Sequence, residues 1–259
     1  MDLGIQGRKA VVMASSQGLG KACALALAAE GCKIVINGRD AAKLDSTGEE
    51  IASKTGASVS AIVADITTET GRAKLLDACP TPDILVTNNA GPPPGSIEDW
   101  DHAAWMSALE ANMLAQVLMI RAVLPAMRAQ KFGRIINMTS AMVKAPLTMM
   151  GLSTAARAGL TAFAKSVSRD VAKDNVTINN LLPERFDTDR QRFMAERIVS
   201  EEGGTFEEAK AKIAHTIAAR RLGRPEEFGA ACAFLCSVQA SYISGQNLQL
   251  DGGSYPGLV

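Results

Sequence analysis

Short runs rich in Val and Ile recur along the chain at 9–13, 33–37, 59–63, 83–86, 134–138, 176–181 and 247–250. They are near-continuously apolar rather than alternating, the pattern of strands buried on both faces of a parallel sheet. Between them apolar residues recur at helical spacing over 18–30, 41–54, 69–78, 103–130, 152–172 and 225–237. Strand–helix alternation throughout predicts right-handed crossovers and one doubly wound α/β domain. In such a sheet the ligand crevice lies beyond the carboxyl ends of the strands. The stretch 185–221 breaks the rhythm, being charged and helical with Gly203-Gly204 in its middle. Two readings stay open for it: a solvated helical excursion, or a lid over the crevice, since it follows a strand end directly.

Composition narrows the partners. The 259 residues carry 27 Lys+Arg and 27 Asp+Glu, a formal net charge of +0. A nucleic-acid or anionic-membrane surface shows as a basic excess, so neither partner is expected. The apolar stretches, such as 22–29, fall short of the ~20 residues of a membrane span. The start Met1-Asp2-Leu3-Gly4 lacks the basic and apolar parts of a secretory signal, so a cytoplasmic setting is expected. Five cysteines (Cys23, Cys32, Cys79, Cys232, Cys236) form no CxxC pair and read as reduced thiols, with Cys232 and Cys236 as core residues. His102 and His215 lie far apart, so no metal set is expected.

Candidate chemistry begins after the first strand, where Ala14-Ser15-Ser16-Gln17-Gly18-Leu19-Gly20 opens straight into a helix. Gly18 and Gly20 allow a tight turn and close approach to a phosphate, and the helix N-terminus offers N–H groups to a pyrophosphate. The alternative is a simple strand-to-helix turn. The second strand ends in Asn37-Gly38-Arg39, without the acid that commonly holds the ribose of NAD. Arg39 can instead bind a 2′-phosphate, which favours NADP(H) over NAD(H), and Asp40 reads as a helix cap. Asp65, followed by Ile66, is placed to contact adenine, to cap the next helix, or both.

Together with Asn88-Asn89-Ala90-Gly91, Asn112, Ser140, the segments 183–188, 222–227 and 242–253, and their order, this loop resembles the short-chain dehydrogenase/reductase family, in particular the 3-oxoacyl-acyl-carrier-protein reductases. The resemblance implies a seven-stranded parallel Rossmann-type sheet and a small-molecule carbonyl or alcohol substrate. It also implies a homotetramer with contacts through the helices at 103–130 and 152–172. Cofactor contacts are expected at Ser15, Ser16, Gln17, Gly18, Leu19, Gly20, Asn37, Arg39, Asp65, Ile66, Asn88, Asn89, Ala90, Gly91, Arg157, Pro183, Phe186 and Thr188. In the family a Ser positions the carbonyl oxygen and a Tyr gives the proton. A Lys four residues on holds the ribose and lowers the phenol pKa, and an Asn holds a water in the proton relay.

Ser140 and Asn112 are kept, but Ser153 and Arg157 stand where the resemblance puts that Tyr and Lys. The only tyrosines, Tyr242 and Tyr255, lie in the C-terminal segment, away from this motif. Ala14 replaces a glycine, Glu184 replaces the glycine after Pro183, and a gapless register puts Thr87-Asn88-Asn89-Ala90 at the Asn-Asn-Ala-Gly positions. A serine hydroxyl is shorter and far less acidic than a phenol, and an arginine stays protonated. Two readings follow. In one, an enzyme holds the carbonyl with Ser140 and Ser153 and stabilises the oxyanion with Arg157. In the other, an NADP(H)-binding subunit or sensor has lost turnover. Glu184 either pairs with Arg157 or faces solvent. Lys144 is a solvated lysine or a contact for an anionic substrate, Trp100 and Trp105 are core or interface residues, and Met149-Met150 are pocket wall or core.

Overall fold

The computed structural model describes residues 2–258. Seven strands form one parallel sheet: β1 (Lys9–Val12), β2 (Lys33–Gly38), β3 (Val59–Val63), β4 (Ile84–Thr87), β5 (Gly133–Met138), β6 (Val176–Pro183) and β7 (Asn247–Leu250). Their order is β3-β2-β1-β4-β5-β6-β7, so the chain reverses direction across the sheet between β1 and β4. That switch point is where a crevice opens above the strand ends.

The apolar runs lack alternation because each face has its own helical layer. Val12, Val86 and Ile136 face a core with α1 (Gly18–Ala29), α2 (Ala41–Thr55) and α9 (Pro225–Cys236). Their neighbours Val11, Leu85 and Ile135 face α3 (Glu69–Ala78), α5 (Ala115–Ala129) and α6 (Gly151–Val171). The edge strands depart from the expected burial: β3 and β7 are half-exposed because each lacks a neighbour on one side. All five cysteines are unbridged and buried, and both histidines are exposed helix residues.

The single helix expected over 103–130 is interrupted. α4 (His102–Leu109) passes into a π-helical stretch, Glu110–Leu114, before α5, which carries Pro125 inside it. π-helical turns cluster at functional sites. Residues His102–Ala129 are also long and apolar enough to cross a membrane by length and composition, which corrects the expectation from 22–29. Here Met119, Ile120, Val123 and Met127 are core residues under the sheet, which accounts for the apolar pattern. The 185–221 stretch forms α7 (Asp189–Glu202) and α8 (Phe206–His215), separated at Gly203 and Gly204 (φ 80° and 89°). Ala195, Ala209, Ile213, Ile217 and Leu222 give it a small core of its own.

Candidate functional site

The crevice starts at the β1–α1 loop. Ala14 adopts φ 45°, a left-handed conformation that costs an L-residue about 1–2 kcal/mol. Its N–H donates to Asn37 Oδ1 at 3.3 Å, and its carbonyl accepts from Asn88 Nδ2 at 3.0 Å. A Cβ on Gly20 would lie 2.5 Å from that carbonyl, so the loop closes only over glycine. Gln17 precedes α1 without capping it, because its side-chain oxygen accepts from Lys43 Nζ at 2.6 Å. The first turn of α1 therefore lacks a side-chain cap and keeps its positive end turned to the crevice, a setting that suits a pyrophosphate. Thr188 stands across from this loop, 3.9 Å from where a Gly18 Cβ would be.

Several of the expected cofactor residues have side chains engaged within the fold. Ser15 Oγ donates to the Val12 carbonyl and accepts from the Asn37 N–H. The Asn37 amide donates to the carbonyls of Ile62 and Ala64, tying β2 to the end of β3. Ile66 is a core side chain, and Phe186 packs edge-on against Phe228 at 5.4 Å. Asp65 does not cap α3. Thr68 does, while the Asp65 carboxylate accepts from the N–H and hydroxyl of Thr67. Those bonds, with the charge of Arg39 nearby, hold the Asp65 carboxyl below the usual carboxylate range. Asp40 caps α2 through the Lys43 N–H, and Arg39 stays exposed at the end of β2.

The other end of the crevice is organised by Arg157, 9% exposed on α6. Its Nε donates to Ser153 Oγ at 3.2 Å, Nη1 to the carbonyls of Met138 and Thr139 at 2.6 and 3.1 Å, and Nη2 to the Asn89 carbonyl at 3.3 Å. Burial, and secondarily the charge of Arg190, push its pKa down to about 10. The considered pair with Glu184 is absent. Glu184 accepts instead from Arg185 Nε at 3.2 Å, and no carboxylate among the described residues lies within 4.0 Å of Arg157. The half-buried Glu184 does not simply face solvent either.

The Thr139 contact brings Arg157 to the residue before Ser140, whose Oγ accepts from the Met142 N–H. Gly91 faces the same group: a Cβ there would sit 3.6 Å from Arg157 Nη2 and 3.8 Å from Ser153 Oγ. Asn112 lies in the π-helical stretch. Its Nδ2 donates to the Ala90 carbonyl at 3.3 Å, while its buried Oδ1 has no hydrogen-bond partner. Asn89 Nδ2 donates to the Ala111 carbonyl, linking the same loop to the same helix. Asn88, by contrast, belongs to the β1–α1 loop network.

Beyond Ala90 and Gly91 lies a cavity of about 400 Å³, walled by Pro92, Pro93, Pro94 and Trp100 and reaching Asn112 and Leu152. Trp100 fills space that a Cβ on Gly95 or Gly151 would occupy, at 2.7 and 2.4 Å, and it meets Trp105 edge-on at 6.2 Å. Three placements were not legible in the sequence. Lys43 reaches the loop at Gln17. Tyr255 folds back from the C-terminal segment so that Lys144 Nζ lies 5.3 Å from its ring, which corrects its expected remoteness from this motif. Arg190, two residues past Thr188, reaches the Pro92 carbonyl. Helical phase within α7 gave no signal for that contact.

The family description Enoyl-(Acyl carrier protein) reductase matches residues 13–255. The chain is 33% identical to the NADPH-dependent reductase BacG of Bacillus subtilis, over 95% of this chain and 97% of that one. It is 30% identical to the 3-oxoacyl-[acyl-carrier-protein] reductase FabG of Aquifex aeolicus, over 98% and 100%. Its structure resembles that of L-sorbose reductase from Gluconobacter frateurii, solved with NADPH and L-sorbose: TM-score 0.94, 30% identity, all of both chains covered.

Proposed function

The chain belongs to the short-chain dehydrogenase/reductase family, and on that premise we propose that it is an NADP(H)-dependent oxidoreductase that reduces a small-molecule ketone, or oxidises the matching alcohol, without the Tyr–Lys pair. The observation that carries this reading is the buried Arg157 guanidinium, held by backbone carbonyls next to Ser140 and Ser153 with no carboxylate among the described residues to neutralise it. Negative charge on a carbonyl oxygen is stabilised most by a fixed cation and hydroxyl donors in a water-poor site.

Cofactor binding is supported by the uncapped α1, by Gly20 pressed under the Ala14 carbonyl, and by Arg39 at the end of β2. When bound, NADPH supplies the hydride to the carbonyl carbon. Ser140 and Ser153 orient the oxygen, and Arg157, still protonated with its pKa at about 10, balances the charge that forms there. Asn112 Oδ1 accepts a hydrogen bond from a water, and that water passes a proton to the alkoxide and takes one back from solvent. α7 and α8 act as a lid, with the glycine pair between them as a flexible joint. The outer apolar side of α5 and α6, with the half-buried Val117, Leu124 and Phe163, joins subunits in a homotetramer.

A second reading has its own observation: Arg157's donors already meet four internal acceptors, as a purely structural arginine's would. In that case the chain binds NADP(H) without turnover. Spectrophotometric NADPH oxidation with a panel of ketones separates the two readings. Ketone-dependent oxidation lost in Arg157→Gln supports the enzyme. Tight NADPH binding with no oxidation by any ketone supports the sensor.

A further inference from the structure

The crevice holds a second cation that the proposed hydride transfer does not use. Arg190 lies in the first turn of α7, and its Nη2 donates to the Pro92 carbonyl at 3.5 Å, the outer limit of a hydrogen bond. Pro92 walls the 400 Å³ cavity and adjoins Gly91, the residue that faces Arg157. The two guanidinium groups therefore come from different helices to one loop at the cavity mouth. Burial is the main cause of Arg157's lowered pKa, and the charge of Arg190 adds to it.

Arg190 is exposed, so water screens its repulsion from Arg157, but a carboxylate arriving at this mouth is drawn by both charges. The carboxylates nearby are engaged elsewhere. Glu184 accepts from Arg185, Asp187 from Lys210 at 2.9 Å, and Asp99 on the cavity wall from the N–H and hydroxyl of Ser96. Asp189, exposed in the first turn of α7, forms no ion pair within 4.0 Å of either arginine. Arg190 itself has only neutral partners among the described residues, the Pro92 carbonyl and the Phe193 ring at 5.7 Å. A guanidinium fork with one long hydrogen bond is well suited to a bidentate carboxylate, whereas Arg157 is fully tethered and adds only its field.

We infer that the substrate carries a carboxylate within a carbon or two of its reacting carbonyl, and that Arg190 binds this group at the Pro92 rim of the cavity. The inference rests on the oxidoreductase reading and narrows its substrate class to oxo acids. The cofactor's pyrophosphate is the other anion that Arg190 can meet, and the experiment separates the two.

Wild type, Arg190→Gln and Arg190→Lys are compared with acetoacetate and its uncharged methyl ester as probes. NADPH affinity is measured by fluorescence titration. The expected result is a wild-type kcat/KM about tenfold or more higher for the acid than for the ester, the scale of one charge-assisted contact. Arg190→Gln removes that preference through the KM of the acid, Arg190→Lys keeps part of it, and NADPH affinity changes little. A wild type indifferent to the charge, or a preference that survives Arg190→Gln, overturns the inference. So does a NADPH affinity about tenfold weaker in Arg190→Gln with the preference intact, which assigns Arg190 to the pyrophosphate. If neither probe nor any ketone of the panel is reduced, the oxidoreductase reading fails on its own. Calorimetry of acetoacetate with the NADPH complex then still decides: binding lost in Arg190→Gln supports the anion site, and equal or absent binding to wild type overturns it.

Discussion

Arg157 shows how one residue changes what a site can do. Its guanidinium reaches further than an amine and branches, so it serves three carbonyls and Ser153 together. Each of those bonds fixes the charge and removes its freedom to shuttle a proton. On the proposed reading, the lack of a phenolic acid limits the rate. Ser153→Tyr with Arg157→Lys restores a phenol and an adjacent cation, and the position opposite Gly91 has no Cβ to obstruct it. The double variant is expected to raise NADPH-dependent ketone reduction by about 10²-fold, the lower end of general-acid catalysis, read from initial rates. Neither change alone supplies both groups, so the single variants should gain far less. Arg39, exposed where β2 ends, is the residue proposed to set the cofactor preference. Arg39→Ala is expected to weaken NADPH about tenfold or more while leaving NADH nearly unchanged, as measured by fluorescence titration. Equal losses for both cofactors would place Arg39 away from the 2′-phosphate.

At the scale of elements, the site depends on backbone junctions more than on side-chain identity. The π-helical stretch between α4 and α5 turns Asn112 to the Ala90 carbonyl and leaves its Oδ1 buried and unpartnered. The β1–α1 turn needs Ala14 at φ 45° and a bare Cα at Gly20. A third junction is the crossing of α1 and α9, where a Cβ on Gly229 would stand 2.5 Å from the Ala22 carbonyl. That atom is backbone and cannot swing aside, so the helices must separate. Gly229→Ala is expected to cost about 1–3 kcal/mol, as overpacking does, and to lower the thermal midpoint accordingly. Because α1 presents its N-terminus to the crevice, the same variant should weaken NADPH binding. Unchanged melting would show that the crossing has slack.

For the whole molecule, the parallel sheet places every loop discussed above the same edge. β4, β5 and β6 deliver Asn89, Ser140 and Pro183, and the β6–α7 connection brings Thr188 back across Gly18. The outer side of α5 and α6 remains apolar, with a groove of about 500 Å³ between Val117, Leu124, Pro125 and Phe163 flanked by Arg121 and Arg128. Apolar surface of that kind is characteristic of subunit contacts. Light scattering at micromolar concentration is expected to give four times the 27.2 kDa chain mass. A monomer would leave this face without the proposed partner.

The doubly wound sheet was legible in the sequence because burial on both faces writes itself as continuous Val- and Ile-rich runs, and local spacing reports local structure. The glycine-dependent β1–α1 turn was legible for the same reason, being a matter of residue type at a fixed place in the chain; the roles of Arg39, Ser153 and Arg157 stay proposals. What the sequence could not determine were meetings between distant segments. Asn37 turned inward to β3, Ile66 and Phe186 went to the core, and Glu184 chose Arg185 over Arg157. Lys144 met the Tyr255 ring, and Arg190 met the Pro92 carbonyl. These outcomes depend on side-chain direction and packing between elements far apart in the chain, which hydrophobic periodicity does not encode. The sequence by itself determined the scaffold and the identity of the groups at the crevice. Only the tertiary structure decided which of them remain available for chemistry and which are consumed in holding the fold together.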